Sequence, residues 1–133
     1  VEVAPLAPSN CGFDIGWSEF LRSRHAGAPI KPVVLRFDAP DGSRFERQGE
    51  FVLTAGGIEG SLVYAASALL RDAIAAHGAA TLTLDLLPDR DAAFVAAEVA
   101  RPRGSRSLAT HLKSRLGIDG AKAALLHEVL GHD

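Results

Sequence analysis

The sequence predicts an α+β fold: a small antiparallel β-barrel-like unit with a long helix and an appended helical subdomain. Three observations predict it. Period-two alternation is concentrated between Ile30 and Leu53 and returns at Thr81–Leu86. One long run at helical spacing follows Ser61, and beyond Pro88 the pattern is helical throughout. Strands first, then mostly helices, is the order of an α+β domain rather than of the alternating βαβ units that build a parallel sheet.

Residues 1–16 are rich in Pro, Gly, Ser and Asn and read as a lead-in loop, ending in a short strand around Phe13 and Ile15. Ser18 caps a short helix whose positive end suits Glu19, and Gly27 and Pro29 stop it. Val33, Leu35 and Phe37 then alternate with Val34 and Arg36 in a half-buried strand entered through Pro32. The turn Pro40-Asp41-Gly42 leads to a second strand, Ser43 to Gln48, with Arg44, Glu46 and Gln48 on its polar face. A third, with Phe51 and Leu53 facing one way, follows Gly49, so the three read as an antiparallel meander.

Ser61 is the expected N-cap of the long helix, 61–77, which places Leu62, Ala66, Leu69 and Ala73 on one face beside Leu70 and Ile74 and stops at Gly78. The strand Thr81–Leu86 directs its leucines into the core. Asp89 is the expected N-cap of the next helix, which Pro102 ends. Two short helices follow, from Ser107 to Leu116 and from beyond Asp119 to Leu130, where Gly131 stops the second. The organisation is thus one domain over 1–133: a lead-in over 1–27, a β-rich unit over 28–88 and a helical subdomain over 89–131.

Composition narrows the function. About half of the 133 residues are hydrophobic, a globular proportion that supports a packed core. A net charge of −2 excludes a strongly electropositive nucleic-acid binder and leaves only a local patch open. The single cysteine, Cys11, excludes an internal disulfide and favours a reducing, cytoplasmic setting. No apolar run reaches the ~18 residues of a membrane span, so no membrane partner is expected. The chain starts at Val1 and contains no methionine, which reads as a piece of something longer.

Few motifs carry chemistry. The run Gly56-Gly57-Ile58-Glu59-Gly60 leads from a strand into a helix, where free amides favour an anion. It is neither the dinucleotide fingerprint nor a P-loop, and Glu59 would repel an anion, so a sharp turn is the plainer reading. Glu128 and His132 are four apart but no third ligand accompanies them, and no metal site is expected. No nucleophile elbow is present, Cys11 stands alone, and Asp85, Asp89 and Asp91 are explained by capping and solvation. The basic stretch Arg101, Arg103, Arg106, Lys113, Arg115 is the main alternative signal: a stand-alone nucleic-acid or protein binding module using the connector 101–115 and the last two helices.

Four stretches together carry a resemblance across nearly the whole chain. They are Leu6–Phe13 with Trp17-Ser18; Gly27–Val33; Gly49–Gly60 with Val63-Tyr64 and Leu70-Arg71; and Leu84–Asp89 with Arg101–Gly104 and Ser107-Leu108. The chain resembles the insertion domain of the HI0933-like FAD-dependent oxidoreductases, a family that includes aminoacetone oxidase-like and bile-acid reductase-like flavoproteins. The resemblance implies a domain that interrupts an FAD-binding domain, covers the flavin and shapes access of a small-molecule substrate. It implies FAD as the cofactor of the longer protein, the flanking FAD-binding domain as the partner, and no nucleic acid. The Gly-rich FAD fingerprint is missing from this sequence, so the piece alone is expected to hold no cofactor and to be catalytically inert. No catalytic residue is assigned. The residues expected to face cofactor or substrate are Thr54, Gly56, Gly57, Ile58, Gly60 and Ser61, with Asn10 in the segment joining the two domains. An inserted domain should also bring Val1 and Asp133 together and expose apolar groups, Phe13 and Trp17 among them, toward the missing neighbour.

Overall fold

The computed structural model describes residues 2–3, 6–8 and 12–130. Strands β1 (Glu2–Val3), β2 (Ala7–Pro8) and β3 (Gly12–Asp14) precede helix α1 (Glu19–His25). Strands β4 (Pro29–Asp38), β5 (Arg44–Thr54) and β6 (Gly57–Glu59) lead into α2 (Ser61–His77), followed by β7 (Leu82–Asp85). Helices α3 (Ala92–Ala100), α4 (Leu108–Leu116) and α5 (Gly120–Leu130) complete the chain. The fold is α+β. One antiparallel sheet runs in the order β1-β7-β4-β5-β6-β3-β2, an open ladder with β1 and β2 at its edges.

The core lies between one face of this sheet and α2. Alternation in β4 buries Val33, Leu35 and Phe37, and Phe51, Leu53, Leu82 and Leu84 join them from β5 and β7. Helix α2 adds Leu62, Val63, Ala66, Leu70 and Ala73, of which Leu62, Val63 and Leu70 each contribute about 2 kcal/mol of burial. Leu62, Ala66 and Ala73 of the expected stripe are buried with Leu70, Val63 joins them, and Leu69 and Ile74 are only partly buried against the core. The opposite sheet face carries cross-strand ion pairs, Arg36–Glu46 at 2.8 Å, Arg44–Asp38 at 3.3 Å and Lys31–Glu50 at 3.8 Å. These exposed pairs keep that face solvated and add little stability.

Three local expectations are corrected. The second and third strands of the meander are one strand: Gly49 pairs with Val33 without a break, and lies against the Leu62 side chain at ordinary contact distance. The irregularity lies in β4 instead, where Lys31 and Pro32 together face only Glu50, a bulge at the residue that lacks an N–H. The N-cap of α2 is Gly60, at φ 114°, and Ser61 is the first helical residue. The N-cap of α3 is Asp91 rather than Asp89; its carboxylate accepts from the Phe94 amide at 2.7 Å.

The ends of the described chain are tied into the same core. Strands β1, β2 and β3 extend the sheet, and α5 returns to it with Leu125 fully buried. Lys122 on α5 donates to the carbonyls of Pro32 and Leu86, both at 2.7 Å, so the bulge in β4 supplies one of its acceptors. Burial pushes the Lys122 ammonium below its usual range, against the opposing pull of Asp85 and Asp89. Glu128 reaches back to the start of α1, accepting from the Ser18 amide at 2.7 Å and the Ser18 hydroxyl at 2.6 Å, while that hydroxyl caps the Leu21 amide. Glu128 is therefore occupied with helix capping; its expected companion His132 lies outside the described residues. Glu128→Ala is expected to lower stability by about 1 kcal/mol, the value of a helix cap, as read by urea denaturation.

Helices α3 and α4 stand apart from this arrangement. No residue of α3 is buried, although eight of its nine residues are apolar, and it packs on α4. Their link is His111, which lies buried with Nε2 2.9 Å from the Glu98 carbonyl and Nδ1 without a partner. Among the described residues no helix is long and apolar enough to cross a membrane.

Candidate functional site

The expected site residues gather in two adjoining pieces, the β5–β6 hairpin and the start of α2. Thr54 pairs with Gly57, so Ala55 and Gly56 form the exposed hairpin tip. Strand β6 is held from its other side by β3, with Gly57 opposite Asp14 and Ile58 opposite Phe13. The two strands approach too closely for side chains at two positions. A Cβ at Gly57 would fall 1.8 Å from the Phe13 carbonyl oxygen, and one at Gly12 would fall 2.0 Å from that of Ile58. These glycines are explained by packing of backbone on backbone.

The hairpin's polar groups are also engaged. The Gly56 carbonyl accepts from the Ile15 amide at 2.7 Å, and the Gly57 carbonyl accepts from the Trp17 indole at 3.0 Å in a buried bond. Ile58 belongs to the core. The run Gly56–Gly57–Ile58 is thus a clamp on the segment 12–17. Trp17 and Phe13, expected to be exposed, are 6% and 1% exposed: the first holds this clamp and the second packs beneath the Arg71 guanidinium, 5.3 Å away.

Gly60 and Ser61 differ. The N-cap of α2, Gly60, has no side chain to cap it, and the hydrogen-bond ladder opens with the Tyr64 amide donating to the Gly60 carbonyl. The amides of the first turn carry the positive end of a 17-residue helix next to the exposed Ser61. Gly60 is required for backbone reasons: its φ is in the left-handed range, and a Cβ would meet the Phe51 Cα at 3.4 Å. Tyr64, 55% exposed, stands one turn along the helix from Ser61. Asn10 and Cys11 lie outside the described residues, as do Val1 and Asp133.

A groove that the sequence reading missed lies toward the other end of α2. It has a volume of about 200 Å³ between the β4–β5 turn and the helix, and Asp41, Asp72 and His77 are among its walls. Pro40-Asp41-Gly42 signalled only a turn; the groove arises because that turn folds over a helix thirty residues later. The Ser43 amide, 2.8 Å from Asp41, holds the Asp41 carboxyl below its ordinary range and explains its place in the turn. The groove is smaller than the ~300–1,000 Å³ typical of ligand pockets. Among the described residues no group of His, Cys, Asp and Glu is placed to hold a metal.

Every strand pairing among the described residues is antiparallel, so none of them builds the βαβ crossover of a dinucleotide-binding fold. The architecture therefore defines a class, an antiparallel sheet domain with a helical appendage. Over residues 7–132 the sequence matches the family described as HI0933-like protein barrel and H2TH domain, and the chain belongs to that family. No curated protein and no solved structure matches it.

Proposed function

We propose that this chain is the insertion domain of an FAD-dependent oxidoreductase, inert alone, covering the flavin and shaping substrate access in the longer protein. The observation that carries the reading is the family match over residues 7–132, on a sheet whose described pairings are all antiparallel. Flavin chemistry needs position and electrostatics from the protein around it. Within the expected site, the start of α2 is the element suited to supply them, because its first turn carries the positive end of the helix beside the exposed Ser61 and its N-cap, Gly60, has no side chain to occupy it. Gly56, Gly57 and Ile58 act indirectly, by fixing where that helix begins.

The direct test is a titration of the purified chain with FAD, followed by the flavin absorbance that survives gel filtration. The expected result is a colourless protein; stoichiometric retention of flavin by this chain alone would sink the reading. A second test separates a ligand role for the helix start from a structural one. Ser61→Asp puts a negative charge at the positive end of α2 and is expected to raise stability by about 0.3–1 kcal/mol. In a flavoprotein containing the domain, the same charge is expected to repel the acceptor group of substrate or cofactor and lower kcat/KM by about tenfold, or ~1.4 kcal/mol. Raised stability with unchanged kinetics would remove the helix start from the site.

A further inference from the structure

The groove between the β4–β5 turn and the last turns of α2 presents charge of one sign. Asp41 and Asp72 are among its walls and, among the described residues, no Lys or Arg is. None of the ion pairs among the described residues uses Asp72, which leaves its exposed carboxylate unspent. The backbone adds to the same field: α2 ends here at His77, and the carbonyl end of a 17-residue helix carries partial negative charge. Beside this charge the groove is apolar, with Leu69, Ala73 and Ala76 recurring at helical spacing along one face of α2. The facing turn is preformed. The Ala39 amide donates to the Ser43 carbonyl at 2.7 Å, the Gly42 amide to the Ala39 carbonyl at 3.0 Å, and the Ser43 amide to the Asp41 carboxylate at 2.8 Å. That last bond also holds the Asp41 carboxyl below its ordinary range and so keeps it ionised.

We propose that this groove binds a monovalent organic cation, an alkylammonium or alkylguanidinium group, through Asp41 and Asp72 and with its stem against Leu69, Ala73 and Ala76. Carboxylates from two separate elements and a helix carbonyl end all favour a cation and repel an anion. A bare inorganic ion would gain nothing from the apolar wall, whereas the stem of an amphipathic cation does. A metal ion is further disfavoured, because among the described residues no group of His, Cys, Asp and Glu is placed to hold one. The volume of about 200 Å³ equals the share of about seven water molecules at ~30 Å³ each, room for a four-carbon stem and its head group. The groove lies about 20 Å along the axis of α2 from Ser61, so it is separate from the site expected at the helix start. A free amine and a Lys or Arg side chain of a protein offer this same chemistry.

The test is an amide NMR titration of the 133-residue protein with n-butylammonium chloride and acetyl-arginine amide, and with 1-butanol and sodium chloride as controls. Saturable shifts confined to residues 39–43 and 69–77 are expected with an organic cation, at a dissociation constant on the order of 1 mM, since exposed ion pairs are weak. Tighter binding of acetyl-arginine amide assigns a protein side chain as the source, and tighter binding of n-butylammonium assigns a free amine. Asp41→Asn with Asp72→Asn is expected to weaken binding about tenfold. Asn at position 41 still accepts from the Ser43 amide, so the turn is kept, and the remaining amide shifts confirm that the variant is folded. Glu46→Gln with Glu50→Gln removes the same charge from the sheet and is expected to leave binding unchanged. No saturable shift beyond that given by sodium chloride, an equal response to 1-butanol, or binding unmoved by the substitutions at Asp41 and Asp72 would each overturn the proposal.

Discussion

Gly57→Ala is expected to abolish the β3–β6 pairing and cost about 3 kcal/mol or more, the upper part of the range for overpacking. The new methyl group would lie 1.8 Å from the Phe13 carbonyl oxygen, and the contact is with backbone, so no side chain can rotate to relieve it. The strands must separate. Separation breaks the Trp17 indole bond to the Gly57 carbonyl and leaves a buried acceptor without a donor. Gly56→Ala is the control. Its Cβ would meet nothing nearer than the Asp14 carboxylate at 3.9 Å, and the residue is exposed, so a change within about 0.5 kcal/mol is expected. Urea denaturation followed by fluorescence of Trp17, the chain's one tryptophan, measures both. Equal stability of the two variants would show that β3 and β6 do not approach as described.

The contrast between these neighbouring glycines marks the limit of what the sequence disclosed. Period-two runs located β4 and β7, and the apolar spacing after Ser61 located α2, because each pattern is generated by the element's own geometry. The same information could not distinguish a glycine that frees amides for an anion from one that lets two backbones touch. That distinction belongs to β3, which is separated from β6 by more than forty residues. Gly49 was misread for the same reason: glycine between two short alternating runs looks like a break, yet here it pairs with Val33 inside one strand, a partner set by the fold. The helix caps failed by small register differences. Ser61 is the better capping side chain, but the positive φ of Gly60 turns the strand into the helix one residue earlier. Asp89 and Asp91 are equally good caps, and only the amide geometry of Phe94 selects between them. Of the candidate site, the helix start was legible as a positive dipole end. The groove beside Asp41 was not, since it is made by residues brought together in the fold.

Trp17 turns that lesson into a measurement. Read from the sequence, it belonged to an apolar surface awaiting a neighbouring domain, and its removal would then leave the stability of this chain untouched. The structure buries it at 6% exposure against the hairpin, so Trp17→Ala is expected to cost about 3–5 kcal/mol, the range for deleting a large core aromatic. Trp17→Phe separates the two contributions. It retains most of the apolar bulk but removes the indole donor, and the orphaned Gly57 carbonyl should cost about 1–3 kcal/mol. Circular dichroism must follow both unfolding transitions, because the fluorophore is gone. The two sites are also coupled through that one bond. Once Gly57→Ala has displaced the carbonyl, Trp17→Phe has little left to lose, and the double variant should be less destabilised than the sum of the single ones. Strict additivity would mean that the indole and the hairpin act independently. A stable Trp17→Ala protein would return Trp17 to the surface and leave the start of α2 without the clamp that fixes its position.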